Sequence, residues 1–109
     1  LIGETRAKEM IFTAREITAE TAREWGLVNG VFTAGSLLEE TLNLAEEIAR
    51  NSPYAVTCAK RSVNGGREML LEEALEWGRS LFGECGESRD RKEGMMAFLE
   101  KRPRIFTGE

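Results

Sequence analysis

The strongest constraint on the fold lies in residues 88–107, which read SRDRKEGMMAFLEKRPRIFT and carry their own helix start and stop signals. Ser88 can cap a helix, because its hydroxyl accepts a hydrogen bond from a backbone N–H two or three residues later. Asp90 places negative charge in the first turn, where the helix dipole favours it. Pro103 ends the helix, because proline lacks the N–H and disfavours helical geometry in the residue before it. The sequence therefore predicts a helix between Ser88 and Pro103.

This predicted helix has an apolar stripe with a basic end. Met95, Phe98, Leu99 and Arg102 recur at helical spacing. Phe98 lies three residues from Lys101 and four from Arg102, so these three side chains can share one edge. An aromatic ring beside two cations suits a purine that carries phosphate. The alternative is that Phe98 is a core residue and the cations are solvated, and spacing alone favours this alternative, because apolar helical stripes are usually core.

Start and stop signals recur along the rest of the chain. They predict five further helices, over residues 3–13, from Thr18 to Gly26, from Ser36 to Arg50, from Ser52 to Asn64 and from Leu71 to Phe82. The apolar residues 27–32 are interrupted by an Asn-Gly pair and support no more than a brief extended segment. The prediction is an all-α chain of about six short helices within a single segment, residues 1–109, since this length has room for one domain.

The third helix has a clear start and a clear apolar face. Ser36 and Glu39 have the spacing of a capping box, in which each side chain satisfies the other residue's free backbone N–H. The helix that follows is expected to turn its apolar side chains inward: Leu38, Leu42, Ala45, Ile48 and Ala49.

Glycine and proline mark the boundaries of the fourth helix. Ser52 followed by Pro53 reads as a cap and a first helical position, where the missing proline N–H has no cost. The pair Gly65-Gly66 is expected to break the helix after Asn64.

The fifth helix carries more apolar residues than one contact face needs. Its stripe is expected to comprise Leu71, Ala74, Leu75, Gly78, Leu81 and Phe82, widened by Leu70 and Trp77. Gly78 in mid-helix costs up to about 1 kcal/mol relative to alanine, so close helix approach is expected there. The wide arc suggests a second partner, either another domain or another subunit. A helix enclosed within its own small bundle is the alternative.

Composition excludes several classes of function. The net charge is −4, which argues against nonspecific nucleic-acid binding. Basic residues concentrate late in the chain: residues 89–109 hold six basic and four acidic residues, whereas residues 1–88 hold 9 and 15. No apolar run approaches the roughly 20 residues that a membrane-spanning helix needs. An anionic ligand would therefore prefer the C-terminal end, although a charged helix face is usually only solvated.

The residues that most often perform catalysis are sparse. The sequence contains no histidine, which excludes Ser-His-Asp and Cys-His nucleophile systems and leaves no predicted metal site. Cys58 and Cys85 are expected to be free thiols in a reducing cytoplasm. Three glutamate pairs, at 39–40, 46–47 and 72–73, fall on polar helix faces and are interpreted as solvated surface.

Four stretches in the same order resemble the enoyl-CoA hydratase/isomerase (crotonase) family. RKEGMMAFLEKR resembles its terminal helix, and the other three stretches are IGETRAKEMIFTAREI, TAETAREWGLVNGV and ARNSPYAVTCAKRSVN. Ala14 departs from the pattern, since the family usually has glycine in this turn, and Leu70 stands where Ser or Thr often caps the next helix. The resemblance covers essentially the whole chain.

The resemblance implies a role in binding coenzyme A. In the family, the last helix of one subunit reaches the coenzyme A bound to its neighbour, and the matching residues here are Phe98, against the adenine, and Lys101, near the phosphates. The family's catalytic glutamates and oxyanion hole have no counterpart in these residues. The chain is therefore expected to be the C-terminal helical, trimerisation region of a larger enzyme with a ββα-spiral core, and to be inactive alone.

The implied parent enzyme hydrates or isomerises 2-enoyl-CoA thioesters in fatty-acid metabolism, in the cytoplasm, as a trimer or a dimer of trimers. Its partners would be an acyl-CoA substrate and further copies of itself, with no nucleic acid, membrane or permanently bound cofactor. A free-standing helical association module without a ligand is the alternative hypothesis. Association that does not respond to coenzyme A would favour the module.

Overall fold

A computed structural model describes all 109 residues and contains six helices and no strands. The helices are α1 Glu4–Thr13, α2 Ala19–Glu24, α3 Leu37–Ala49, α4 Pro53–Gly66, α5 Leu71–Glu87 and α6 Arg89–Glu100. The all-α prediction is confirmed. None of these helices combines the length and the apolarity that crossing a membrane requires. The chain divides into two compact units, residues 1–43 and residues 44–109.

In the first unit, α1 ends in a left-handed turn at an alanine. Ala14 has φ 48° and ψ 28°, a conformation that glycine adopts far more readily. For a residue with a Cβ atom this conformation costs roughly 1–2 kcal/mol. The departure from the family pattern at Ala14 therefore leaves the turn geometry in place and adds strain to it.

The second helix has the predicted start and stop. The Thr18 hydroxyl accepts a hydrogen bond from the Thr21 N–H at 3.1 Å. Gly26 has φ 74°, and the Leu27 N–H returns to the Ala22 carbonyl at 2.8 Å. Both predictions for this helix are confirmed.

Residues 27–32 form bends and irregular backbone with no strand.

Two predictions for α3 are wrong. The Ser36 hydroxyl does not form a capping box with Glu39, because it is engaged with Thr33, lying 2.8 Å from the Thr33 Oγ1 and 3.4 Å from the Thr33 carbonyl oxygen. The apolar side chains expected to point inward are all exposed, and no residue of α3 is buried. The pattern identified an amphipathic helix correctly, but nothing in this chain covers its apolar face.

In the second unit, α4 begins as predicted and ends later. The Ser52 hydroxyl accepts a hydrogen bond from the Ala55 N–H at 3.1 Å, with Pro53 in the first helical position. The expected break at Gly65-Gly66 is wrong, because both glycines lie inside the helix. A Cβ atom on Gly65 would lie 3.0 Å from the Trp77 Nε1 atom. These glycines therefore serve close packing against α5.

The α4–α5 pair forms the best-packed part of the second unit. The Trp77 indole N–H donates to the Arg61 carbonyl oxygen at 3.4 Å, and the Arg61 guanidinium lies 5.5 Å from the centre of the Trp77 ring. A Cβ atom on Gly78 would lie 3.5 Å from the Ser62 Oγ atom, which confirms the expected close approach there. Leu81 is the large side chain buried most completely in this chain.

The fifth helix is longer than predicted, and its apolar surface is only partly used. It continues to Glu87, five residues beyond Phe82. Leu81 is buried, whereas Leu71, Leu75 and Phe82 are 75%, 51% and 81% exposed. The prediction that the arc exceeds one contact face is confirmed, and the enclosed-bundle alternative is wrong for this chain.

Replacing Ala14 by glycine should stabilise the first unit by about 1 kcal/mol, because the left-handed turn would lose its Cβ strain. Ala7→Gly is the matched control. It makes the same chemical change inside α1, where it should destabilise by about 1 kcal/mol. Urea unfolding followed by circular dichroism measures both. Equal destabilisation by the two changes would contradict the strained turn.

Replacing Gly65 by alanine should destabilise the chain by roughly 1–2 kcal/mol, because the new methyl group would displace a Trp77 ring that two contacts with Arg61 hold in place. Gly83→Ala is the control, since a Cβ atom there meets nothing within 4 Å. That change should stabilise α5 by up to about 1 kcal/mol. A stabilising Gly65→Ala substitution, measured by the same unfolding assay, would contradict the packing role.

Candidate functional site

The sixth helix has the predicted cap and a left-handed end. The Ser88 hydroxyl accepts a hydrogen bond from the Arg91 N–H at 3.1 Å, as expected. The helix ends at Glu100, and Lys101 follows with φ 54° and ψ 40°. Lys101 thus occupies a position that favours glycine, with Pro103 two residues later. Its N–H donates to the Phe98 carbonyl oxygen at 3.3 Å, which closes the last turn.

A buried carboxylate fixes α6 to its surroundings. Asp90 is 2% exposed, and its Oδ2 atom accepts a hydrogen bond from the Ser52 hydroxyl at 2.5 Å. Its Oδ1 atom accepts from the Thr107 N–H at 2.8 Å, and Gly108 donates to both oxygens. One side chain therefore joins the start of α4, the start of α6 and the C-terminal tail.

A second carboxylate holds the middle of the tail. Arg102 donates to the two oxygens of Glu93 at 2.6 and 2.8 Å, and the Ile105 N–H donates to Glu93 at 2.9 Å. Arg102 also donates to Glu100 at 2.6 Å. The residues after α6 thus fold back along it, and the Phe106 ring lies over Gly94.

The spacing indicated that Arg102 can share an edge with Phe98 and Lys101, and it does line the same cavity, but it is engaged in ion pairs there. The Arg102 guanidinium is paired with Glu93 and Glu100 and is therefore not available as an open cation. Sequence reasoning also missed Asp90 and Glu93 as structural residues. Glu93 and Arg102 lie nine residues apart, with the left-handed turn at Lys101 between them, so no helical spacing links them.

The pKa values of Glu93 and Asp90 both lie below the ordinary values for these side chains. Hydrogen bonds from Arg102, followed by the Ile105 N–H, lower the pKa of Glu93 from 4.5 to about 2. Burial by itself would raise the pKa of Asp90, but the hydrogen bonds donated by Ser52, Thr107 and Gly108 outweigh burial, and the pKa lies below its ordinary value of 3.8. Both groups are therefore ionised at neutral pH.

Part of the α6 surface is open. Phe98 is 82% exposed, so its ring is not part of this chain's interior. Phe98 and Lys101 line the same concave surface, a cavity of about 1140 Å³ bordered by α5, α6 and the tail. Its other lining residues include Phe82, Met95, Arg104 and Phe106. The structure therefore brings both predicted binding residues to one largely apolar cavity with cations at its edge.

Lys101 has no carboxylate within ion-pairing distance, unlike the adjacent Arg102. An unpaired ammonium and an exposed aromatic ring that line one cavity can attract an anion that also carries a flat ring. The three glutamate pairs considered in the sequence, at 39–40, 46–47 and 72–73, all lie on exposed surface. None of these pairs lines the cavity.

A family model described as enoyl-CoA hydratase/isomerase matches residues 1–109. The chain belongs to this family. It is 39% identical over 102 residues to the short-chain-enoyl-CoA hydratase of Clostridium acetobutylicum, covering 94% of this chain and 39% of that protein. It is 41% identical over 105 residues to a mitochondrial enoyl-CoA hydratase of Pongo abelii, covering 96% of this chain and 36% of that protein.

The fold is also that of known enoyl-CoA hydratases. The crystal structure of an enoyl-CoA hydratase from Bacillus anthracis superposes with a TM-score of 0.96 at 40% identity, covering 100% of this chain and 42% of that one. The chain thus spans about two fifths of the length of the relatives it matches. The resemblance stated from four sequence stretches is confirmed.

Acid should weaken the attachment of the tail. The pKa of Glu93 is depressed in the folded state, so its contribution to stability is full above pH 4.5 and is lost as the pH falls towards 2. Glu93→Gln should lower the melting temperature at pH 7, and the difference from the parent chain should shrink towards pH 2.

Glu47→Gln is the control, because the Glu47 side chain makes no ion pair. Its melting temperature should equal that of the parent chain at every pH. A Glu93→Gln deficit that stays constant between pH 7 and pH 2, measured by circular dichroism melts, would contradict the charged tail contact.

Proposed function

We propose that this chain is the C-terminal, oligomer-forming and coenzyme A-contacting part of an enoyl-CoA hydratase/isomerase that acts on 2-enoyl-CoA thioesters in fatty-acid metabolism. Family membership supports the reaction class, and the exposed Phe98 ring and the unpaired Lys101 ammonium, which line one cavity, carry the ligand assignment. In this proposal residues 1–109 act as one helical segment of a cytoplasmic homo-oligomer, a trimer or a dimer of trimers.

The proposed division of roles follows from the chemistry of the ligand. The adenosine end of coenzyme A presents a flat ring and several negative charges. Phe98 would stack on the ring, and such stacking is worth roughly 1–3 kcal/mol per base. Lys101 would neutralise phosphate charge. The groups that polarise the thioester and add water would come from the remainder of the enzyme, because the family resemblance gives the catalytic glutamates and the oxyanion hole no counterpart in residues 1–109.

The backbone at Lys101 supports a role for its side chain. A lysine in the left-handed region is less favourable than a glycine, so the geometry alone gives no reason for lysine there. The neighbouring Arg102 carries the structural contacts of this turn, which leaves the Lys101 ammonium free of them. A free cation held in a strained but fixed position is consistent with ligand binding.

Exposed apolar surface supports the oligomer-forming part of the proposal. The chain buries only four apolar residues, whereas 22 large apolar side chains are exposed, including Leu38 and Leu42 on α3 and Leu71 on α5. The same observation favours the second candidate function, a helical association module without a ligand. Sedimentation of the chain with and without coenzyme A separates the two, since only the first predicts a response to the ligand.

The ligand assignment is tested in a chimera in which residues 1–109 replace the matching segment of the Bacillus anthracis enoyl-CoA hydratase. Phe98→Ala should raise the Kd for coenzyme A roughly 5- to 100-fold, and Lys101→Gly should raise it roughly 10-fold. Lys101→Gly removes the ammonium and also relieves the backbone, so weaker binding cannot come from a strained turn. Isothermal titration calorimetry measures both.

Matched controls lie on the same helix. Leu99→Ala removes a 72% exposed apolar side chain outside the cavity, and Lys92→Ala removes a cation outside it. Both should bind coenzyme A like the parent chimera. Unchanged affinity in Phe98→Ala and Lys101→Gly would contradict the assignment. The isolated 109-residue chain should not hydrate crotonyl-CoA, and robust turnover by it would contradict the proposed division of roles.

A further inference from the structure

The register between α4 and α5 is fixed by contacts along their length. Moving away from the connecting loop, the facing pairs are Gly66 with Ala74, Gly65 with Trp77, Ser62 with Gly78, and Arg61 with Glu84, whose charged groups lie 3.0 Å apart. Along this series the residue numbers on α4 decrease while those on α5 increase, as in an antiparallel helix pair. Glycine or a small residue at most of these contacts lets the two backbones approach closely.

The next turn of this register brings two cysteines together. Cys58 lies one turn before Arg61 on α4, and Cys85 directly follows Glu84 on α5. Both cysteines are free, and the register places them on facing turns of the two helices. Cys58 is 4% exposed, whereas Cys85 is half-buried, so a reagent from solvent meets Cys85 first.

We propose that Cys58 and Cys85 form a dithiol modification site that a low-molecular-weight disulfide converts to an intramolecular disulfide between α4 and α5. The evidence for it is the helix register, which places the two cysteines on facing turns, and the unequal exposure of their side chains. The proposal does not depend on coenzyme A binding.

The reaction is two successive exchanges. The Cys85 thiolate attacks one sulfur of the reagent, forms a mixed disulfide and releases one reagent thiol. The Cys58 sulfur then attacks the Cys85 sulfur, forms the protein disulfide and releases the second reagent thiol. The two protein thiols lose two electrons and two protons, and the reagent disulfide gains them.

The surroundings make the reaction slow at neutral pH. Burial, the hydrogen bond with Cys58 and the negative charge of Glu84 raise the pKa of Cys85 to about 11, against a smaller opposite effect of Arg61. Only thiolate attacks a disulfide, so the rate should rise about tenfold per pH unit between pH 7 and 10. The site is therefore suited to sustained oxidation and not to rapid sensing.

The test is to incubate the 109-residue chain with oxidised glutathione and to follow its intact mass. The expected product has lost two hydrogens, and peptide mapping after trypsin should join the peptides that contain Cys58 and Cys85. The oxidised chain should melt higher than the reduced chain by on the order of 5–10 °C, because the link restricts the unfolded state.

Single-cysteine variants test the order of events. Cys58→Ser should stop at a glutathione adduct on Cys85, whereas Cys85→Ser should remain largely unmodified because Cys58 is buried. Neither variant should gain thermal stability. A wild-type chain that retains the glutathione adduct, forms only intermolecular disulfides, stays reduced at pH 9, or melts lower after oxidation would overturn the proposal.

Discussion

The attachment of the C-terminal tail depends on the Asp90 carboxylate, which is buried and accepts hydrogen bonds from two separate stretches of the chain, at Ser52 and at Thr107–Gly108. A buried carboxylate is unfavourable unless its oxygens are satisfied, so the Ser52 hydroxyl and the Thr107 and Gly108 N–H groups must be present together. That requirement fixes the start of α4, the start of α6 and the tail relative to one another. Glu93 repeats the arrangement one turn later through Arg102 and Ile105.

This polar attachment determines which face of α6 remains open. The tail lies over Gly94, and Ala97 is buried, whereas Met95 and Phe98 remain 55% and 82% exposed. Glu93 and Glu100 of α6 pair with Arg102, whereas Lys101 has no carboxylate partner. Of these two adjacent cations only Lys101 is left unpaired, at a left-handed turn.

The balance of buried and exposed apolar residues agrees with a chain that spans two fifths of its relatives' length. Hydrophobic burial is the main favourable term in folding, and the four buried apolar residues here are mostly small. The α4–α5 pair packs through glycines and Leu81, whereas α3 buries nothing. The exposed stripes of α3 and α5 have the width of core faces, which is why the proposed function includes burial against further polypeptide.

The sequence by itself determined local features. Thr18, Ser52 and Ser88 start helices where predicted, because a cap and its partner lie three residues apart and need no other part of the chain. The choice of Phe98 and Lys101 came from the family resemblance, and exposure of the Phe98 ring agrees with it. Only the tertiary structure decided that Gly65 and Gly66 pack a helix instead of breaking it, and that Ser36 turns to Thr33. Asp90, Arg102 and the facing cysteines also depended on it, because each of their contacts joins residues that no helical period relates.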